Sequence, residues 1–388
     1  MSSTPLRIAV AAGEASGDTL GAGLIEALRA RIPLAEFMGI AGPRMIAAGC
    51  EPWHRTEELS VMGLAEVVRH LPRLLKLRKN FIRRLLEARP DVFIGIDSPD
   101  FNLPVEAALK SAGVVSVQYV SPQVWAWRQS RVAGIRESTD LVLCVLPFET
   151  EFYEQHGVNA IFVGHPLADE IPLEIDKLEA RRQLSLPAEA TIVAILPGSR
   201  STEVSRLAKP FCATARWMQA RHEGLVAVVA LANESTRDRF VELTSDVHLE
   251  PPARLIVGQA RAVMAASDVV LTASGTASLE TALHKRPMVV AYIISGLTHR
   301  LLRIMGLNKL AHFSLPNLLA GGACVPEFLQ SDVRPEVLGP SLEQYLSADG
   351  DVERLRETFT TIHQDLRRDA SHAAASAIVD LLSAKDPR

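Results

Sequence analysis

The chain of 388 residues is 48% hydrophobic and 22% charged, an ordinary globular balance with enough length for two or three domains. A formal net charge of −4 argues against the chain as a whole being an electrostatic partner for nucleic acid. The four cysteines, Cys50, Cys144, Cys212 and Cys324, are scattered, with no C-x-x-C pair and no metal-like histidine cluster, so a reduced chain without a metal site is expected.

The opening MSSTPLRIAV lacks the basic stretch, apolar core and cleavage site of a signal peptide. No charge-free apolar run reaches the ~18 residues a membrane-spanning helix needs. Short apolar runs rich in Val and Ile then alternate with amphipathic segments. They fall at Leu6–Ala12, Val92–Asp97, Val114–Val120, Leu141–Leu146 and Ala160–Val163, and again at Thr191–Leu196, Leu225–Leu231, Val269–Ala273 and Met288–Ile294. Strands buried on both faces read this way, and their alternation with helices predicts α/β units with doubly wound parallel sheets. The rhythm breaks between Pro166 and Ala190, where prolines and charges replace any buried strand. The expected division is an N-terminal Rossmann-like domain over 1–168 and a second one over 169–351, the two facing a cleft. The tail places Leu355, Phe359, Ile362 and Leu366 at helical spacing, and helices over 352–388 are expected to pack back on the first domain.

Several junctions between strand and helix carry chemistry. The stretch 8–24, IAVAAGEASGDTLGAGL, is glycine-rich without being G-x-G-x-x-G, so the dinucleotide fingerprint fails. Glu14 and Ser16 fall at the carboxyl end of the first strand, where open α/β sheets bind ligands; Ser16 or Asp18 as a helix cap is the structural alternative. Between them and the next strand, residues 62–90 combine an apolar stripe, with Val67, Val68, Leu71, Leu74 and Leu75, and a basic face with Arg69, Arg73, Lys76, Lys79 and Arg83. That pattern fits a core helix or a surface resting on anionic lipid, and Pro72 predicts a break or kink in it. Asp97 ends a buried strand and suits a general base, with Asp100 its rival and a turn carboxylate the alternative. Trp125 and Trp127 lie beside Arg128 and Arg131, which fits a sugar or phosphate site or a packed domain edge. His165 after the last strand of the first half reads as structural.

In the second half, LPGSR at 196–200 gives a tight turn and a cation, Arg200. TASGTASLETAL at 272–283 reads as strand, glycine turn and helix start. Unpaired N–H groups near Gly275, with the hydroxyls of Ser274, Thr276 and Ser278, suit a diphosphate. Glu280, one turn on, suits ribose hydroxyls. A capping box involving Glu280 would need Ser or Thr at 277, which is alanine.

Taken together, GEASGD, MGLAEV, GIDSPDFN, SPQVWAWR, VGHPL, LPGSR, ASGTASLE and PNLLAG, in this order, resemble the lipid-A-disaccharide synthase family over nearly the whole chain. The resemblance implies an inverting glycosyltransferase of the GT-B arrangement, with no cofactor. It would move 2,3-diacylglucosamine from UDP to the 6-hydroxyl of 2,3-diacylglucosamine 1-phosphate (lipid X), at the inner face of the Gram-negative inner membrane. It implies Asp97 as general base, Arg200 neutralising the leaving diphosphate, Ser274, Gly275 and Thr276 holding UDP, and Glu280 the ribose. Glu14, Ser16, Asn317 and Gln330 fall on matching stretches and are further cleft candidates. The implied partners are UDP-2,3-diacylglucosamine, lipid X and an anionic membrane surface, with no nucleic acid; a homodimer is compatible with the sequence. Other readings of the same scaffold are a UDP-sugar epimerase-like enzyme and a non-catalytic nucleotide-sugar binding protein; an NAD-dependent dehydrogenase is disfavoured by the absent fingerprint.

Overall fold

A computed structural model describes residues 5–59, 64–125, 131–294, 311–347 and 349–385, with the side chains of 64–70, 349 and 350 outside that description. The chain divides into two units, residues 1–169 with 366–388 and residues 170–365.

The first unit runs β1 (Arg7–Ala12), α1 (Ala15–Arg31), β2 (Glu36–Ala41), α2 (Pro43–Ala47), β3 (Cys50–Arg55), α3 (Leu64–Ala88), β4 (Val92–Ile96), α4 (Pro99–Ser111), β5 (Val115–Tyr119), α5 (Val132–Ser138), β6 (Leu141–Cys144), α6 (Phe148–Gln155), β7 (Ala160–Phe162) and α7 (Pro166–Glu170). All its strand pairs are parallel, in the order β3-β2-β1-β4-β5-β6-β7. The central strands β1, β4, β5 and β6 are buried almost throughout, as the continuous apolar runs require. On one face Leu77, Phe81 and Leu85 of α3 and Val105 and Leu109 of α4 close over Ala9, Ala11 and Phe93. The helix α3 runs through Pro72 without a break, so of the two outcomes expected there, break or kink, the first does not occur. Pro72 is exposed, so its missing N–H lies on the solvent side, while Leu77, Phe81 and Leu85 anchor the segment that follows.

The second unit runs α8 (Lys177–Gln183), β8 (Ile192–Leu196), α9 (Ser201–Gln219), β9 (Val226–Leu231), α10 (Glu234–Thr244), β10 (Arg254–Val257), α11 (Ala260–Ala266), β11 (Val269–Ala273), α12 (Thr276–Leu283), β12 (Met288–Tyr292), α13 (Leu315–Ala320), β13 (Glu327–Leu329), α14 (Pro335–Ser347) and α15 (Asp349–Leu366). Its parallel sheet has the order β10-β9-β8-β11-β12-β13. Asp268, just before β11, holds one end of this unit together. Its carboxylate accepts from Arg181 Nη2 at 2.7 Å, from Lys177 Nζ at 2.9 Å and from the Ile192 N–H at 2.7 Å.

Leu355, Phe359, Ile362 and Leu366 of α15 are all buried, as their spacing predicts. All of α15 but its last residue groups with the second unit. The chain then returns to the first unit through α16 (Ala370–Lys385). Asp169 fixes that return, accepting from the Asp369 and Ala370 N–H groups at 2.9 and 2.7 Å. α16 lies on α1, where Arg31 Nη2 donates to Ser376 Oγ.

Candidate active site

In each sheet the strand order reverses beside the first strand, between β1 and β4 in one unit and between β8 and β11 in the other. At such a reversal the loops leaving neighbouring strands diverge to opposite faces and open a crevice at the carboxyl edge. In the first unit these loops carry Glu14, Ser16 and Asp97; in the second they carry Arg200 and Ser274–Thr276.

In the first unit, Glu14 is the N-cap of α1 without a side-chain capping bond, and Glu14 and Ser16 are exposed. Asp18 caps a different helix, accepting from the Arg44 and Met45 N–H groups of α2 at 2.9 and 3.0 Å. Across the crevice, Asp97 and Ser98 are consecutive left-handed residues, with φ of 53° and 43°. For non-glycine residues this conformation costs energy and persists only where the surroundings impose it. The Asp97 N–H donates to Tyr119 O at 2.8 Å, and its carbonyl accepts from Asn102 Nδ2 at 2.9 Å and Gln118 Nε2 at 3.1 Å. Gly13 makes room for the turn, since a Cβ there would lie 2.1 Å from Ser98 Oγ. The Asp97 carboxylate is half-buried at the strand end. Its rival Asp100 is exposed and paired with Arg131 Nη2 at 2.7 Å. A cavity of about 220 Å³, lined by Leu59, Leu74, Ser98, Pro99, Asp100 and Phe101, opens beside this turn.

In the second unit, Gly198 has φ of 109° and a Cβ there would sit 2.5 Å from Glu203 Cβ, so the turn after β8 needs glycine twice over. The Glu203 carboxylate reaches back to the Ser199 and Arg200 N–H groups at 3.1 and 3.3 Å and fastens the loop to α9. Arg200 is 72% exposed and its guanidinium lies 3.3 Å from Glu203, a surface pairing weak enough to yield to a stronger anion. Gly275 caps α12 with φ of 135°, and Gly275 and Thr276 are exposed at the helix's positive end. Ser274 Oγ donates to Phe313 O at 3.3 Å. Ser278 is different from the expectation: it is buried and its hydroxyl donates to Gly275 O at 2.7 Å, which commits it to the helix end and not to a ligand. Glu280 is no part of a capping box. Its Oε1 accepts from Arg261 Nε at 2.9 Å, and Arg261 Nη1 donates on to Glu170 at 2.8 Å. Sequence reasoning missed Arg261, because it lies on α11 and only the fold brings it to Glu280.

The remaining candidates are held in other ways. Asn317 is buried and bonds its own loop, donating to Val325 O at 2.9 Å and accepting from the Cys324 and Val325 N–H groups at 2.8 Å. Gln330, with φ of 54°, accepts from the Ile294 N–H at 2.7 Å and so ties the end of β12 to the chain beyond β13. His165 Nδ1 accepts from the Leu167 N–H, and burial lowers its pKa from 6.5 to about 4, so it stands neutral. Leu71 and Leu75 are 46% and 45% exposed and Leu74 half-buried, whereas Val67 and Val68 lie outside the described side chains. Trp127 and Arg128 also lie outside the described residues. Among the described residues no cluster of three His, Cys, Asp or Glu could hold a metal, and no helix is long and apolar enough to cross a membrane.

Two doubly wound parallel-sheet units of this kind define the GT-B class. The same fold occurs in UDP-GlcNAc 2-epimerase from Neisseria meningitidis, solved bound to UDP-GlcNAc, with a TM-score of 0.64 and 12% identity over 99% of this chain and 100% of that one. It also occurs in Anabaena HepE, solved with UDP and glucose, with a TM-score of 0.56 and 14% identity over 98% and 100%. The family is given by the sequence. The lipid-A-disaccharide synthetase family model matches residues 8–379, and the chain belongs to that family. A lipid-A-disaccharide synthase of Xanthomonas euvesicatoria is 51% identical over 385 residues, 98% of this chain and 87% of the relative.

One buried acid of the first unit is pH-sensitive. Glu149, at the start of α6, accepts from Trp125 Nε1 and the Leu146 N–H, both at 3.1 Å. Desolvation outweighs these bonds and raises its pKa from 4.5 to about 7. The protonated form is therefore the one favoured by folding. Its stabilising contribution is full below pH 4.5 and is lost as pH rises through about 7. A shift of that size corresponds to about 3 kcal/mol. Glu149→Gln is expected to flatten the fall of Tm between about pH 5 and 8 relative to the unsubstituted protein. Parallel melting curves across that range would show that Glu149 does not titrate there.

Proposed function

We infer that this chain is a lipid-A-disaccharide synthase, a glycosyltransferase that joins an activated acylated sugar to a second acylated sugar. The observation that carries the reading is the family match across residues 8–379; GEASGD, GIDSPDFN, LPGSR and ASGTASLE follow β1, β4, β8 and β11, the strands at the two reversals. The donor is proposed to be UDP-2,3-diacylglucosamine and the acceptor 2,3-diacylglucosamine 1-phosphate. The 12% identity to an epimerase speaks for shared fold only, and the epimerase-like alternative is not favoured.

In this reading the donor binds at the second unit. The diphosphate lies against the N-terminal end of α12 at Ser274–Thr276 and within reach of Arg200, and the ribose hydroxyls donate to Glu280, which Arg261 holds in place. Ser274 must turn its hydroxyl from Phe313 O to serve the phosphate. The acceptor's 6-hydroxyl gives its proton to Asp97 as its oxygen attacks the anomeric carbon from the side opposite UDP, so the product is the inverted β-1,6 disaccharide. Negative charge develops on the departing diphosphate, where Arg200 and the helix end stabilise it. Asp97 is favoured over Asp100 because it sits in the crevice, whereas Asp100 is exposed and salt-bridged to Arg131.

Both substrates carry acyl chains, so the enzyme is proposed to work at the cytoplasmic face of the inner membrane. Leu71 and Leu75 offer exposed apolar area on α3, with exposed Arg73, Lys76 and Lys79 beside them. The cavity that Leu59, Leu74 and Phe101 line next to Ser98 is proposed to take part of an acceptor acyl chain.

Supplied with UDP-2,3-diacylglucosamine, the protein is expected to release UDP only when the acceptor lipid is also present. Release without acceptor would indicate epimerase or hydrolase chemistry, and no release at all a binding protein. Asp97→Asn is expected to lower kcat about 10²–10⁴-fold with UDP affinity unchanged, and Asp100→Asn to change it little. If the two variants behave the other way round, Asp100 is the base.

Replacing Leu71 and Leu75 together with Ser is expected to release the protein from anionic vesicles in co-sedimentation while Tm and UDP affinity hold. Their exposure makes that a surface change. Unaltered vesicle binding would remove α3 from the membrane contact.

A further inference from the structure

Beneath the Asp97–Ser98 turn lie three polar side chains to which the reaction above gives no part. Asn102 and Glu106 project from α4 and Gln118 from β5; Asn102 is 1% exposed and the other two 0%. The β4–β5 register pairs Gly95 with Gln118, which puts Gln118 beside Gly95 on one face of the sheet. A Cβ on Gly95 would lie 2.2 Å from Glu106 Oε1 and 2.8 Å from Asn102 Cβ. The Glu106 carboxyl group thus fills the space where that strand position would carry a side chain.

The orientation of both amides is forced. Asn102 Nδ2 faces the carbonyls of Asp97, Ala11 and Ile96 at 2.9, 3.3 and 3.4 Å. Gln118 Nε2 faces those of Asp97, Val120 and Tyr119 at 3.1, 3.1 and 3.3 Å. Turning either amide round would set oxygen against oxygen, so the nitrogens must stay where they are. The two amide oxygens and both carboxyl oxygens of Glu106 are left, buried and without a hydrogen-bond partner among the described residues. An ionised Glu106 would offer these amide oxygens only further acceptors, whereas a protonated one, lying with Asn102 against Gly95, supplies one donor for an amide oxygen.

We infer that Asn102, Glu106 and Gln118 are positioning residues for Asp97, with Glu106 acting as a neutral acid whose one O–H donates to an amide oxygen and so helps keep the amides on the Asp97 carbonyl. Burial, which drives the Glu106 carboxyl well above the usual carboxylate range, agrees with this. The proton stays on Glu106 throughout. Its effect is mechanical: the amides hold the carbonyl, and the carbonyl holds a left-handed turn that would otherwise relax and swing the base away from the acceptor hydroxyl. The inference rests on Asp97 being the base of the proposed transfer.

The test compares Glu106→Leu and Glu106→Gln with the unsubstituted protein, reading kcat, donor KM, UDP affinity and Tm. Glu106→Leu is expected to lower kcat about tenfold or more with donor KM and UDP affinity little changed, because only the base loses its placement. Glu106→Gln, whose N–H₂ replaces the acid proton, is expected to recover kcat to within about threefold of the original. Should Glu106→Leu not fold, Gln118→Leu, which leaves α4 intact, takes its place with the same expected loss in kcat alone. Infrared spectra supply a readout independent of turnover. The carbonyl stretch of a protonated carboxylic acid is expected at neutral pH and is expected to weaken in Glu106→Gln. Equal loss of kcat in the Gln and Leu variants, full kcat in a folded Leu variant, or an unchanged acid band would each overturn the inference. Absence of any transfer by the unsubstituted protein would instead strike at the proposed reaction, and the infrared result would still judge the state of Glu106.

Discussion

Parallel strands covered on both faces leave free backbone ends only along the sheet's edges of strand termini. Every crossover must return over a helix, and wherever the strand order reverses, neighbouring crossovers part to opposite faces. Both sheets of this chain reverse next to their first strand, β1 and β8. Four loops, after β1, β4, β8 and β11, are therefore the ones proposed to carry most of the chemistry, and much of the packing around them fixes where they end.

The two reversals are built differently, and the difference follows from what each is proposed to do. A base must be aimed, because proton transfer needs hydrogen-bond geometry. The turn at Asp97–Ser98 is accordingly a strained, left-handed pair, pressed against Gly13 and held from below by buried amides. A diphosphate needs charge and N–H groups more than it needs exact placement of any one side chain. The loops after β8 and β11 accordingly present an exposed guanidinium, an exposed helix end and a carboxylate paired with Arg261. In both cases a buried acid supports the loop, Glu203 through hydrogen bonds to the Ser199 and Arg200 N–H groups and Glu106, as inferred above, through the amides it bonds.

The central strands could be read from the sequence because burial on both faces makes each of them a continuous apolar run, as in VFIGI and VVLTA. Of the outermost strands only β7, Ala160–Phe162, could be read this way. CEPWHR of β3 is half exposed and contains proline and charge, RLIV of β10 has no fully buried residue, and EFL of β13 is three residues long. β2 is buried but is interrupted by Gly39, whose φ of 143° allows the close approach of Val10. The loop residues of the candidate site were legible because glycine, hydroxyl and charge cluster at strand ends. What supports them was not: Arg261 meets Glu280, and Glu106 meets Gly95, only through packing between separate elements. Ser278 looked like its neighbours in sequence, and two residues along α12, on the opposite side of the helix, separate an exposed hydroxyl at Thr276 from a buried one.

The central claim is that a nucleotide diphosphate is held at the reversal of the second sheet. Determining the structure with UDP bound tests it most directly. The account predicts diphosphate oxygens about 3 Å from the first N–H groups of α12 and from the Arg200 guanidinium, with the ribose hydroxyls on Glu280 and the Arg261–Glu280 pair intact. UDP seated instead at the β1–β4 reversal, or bound with Glu280 and Arg200 untouched, would contradict it.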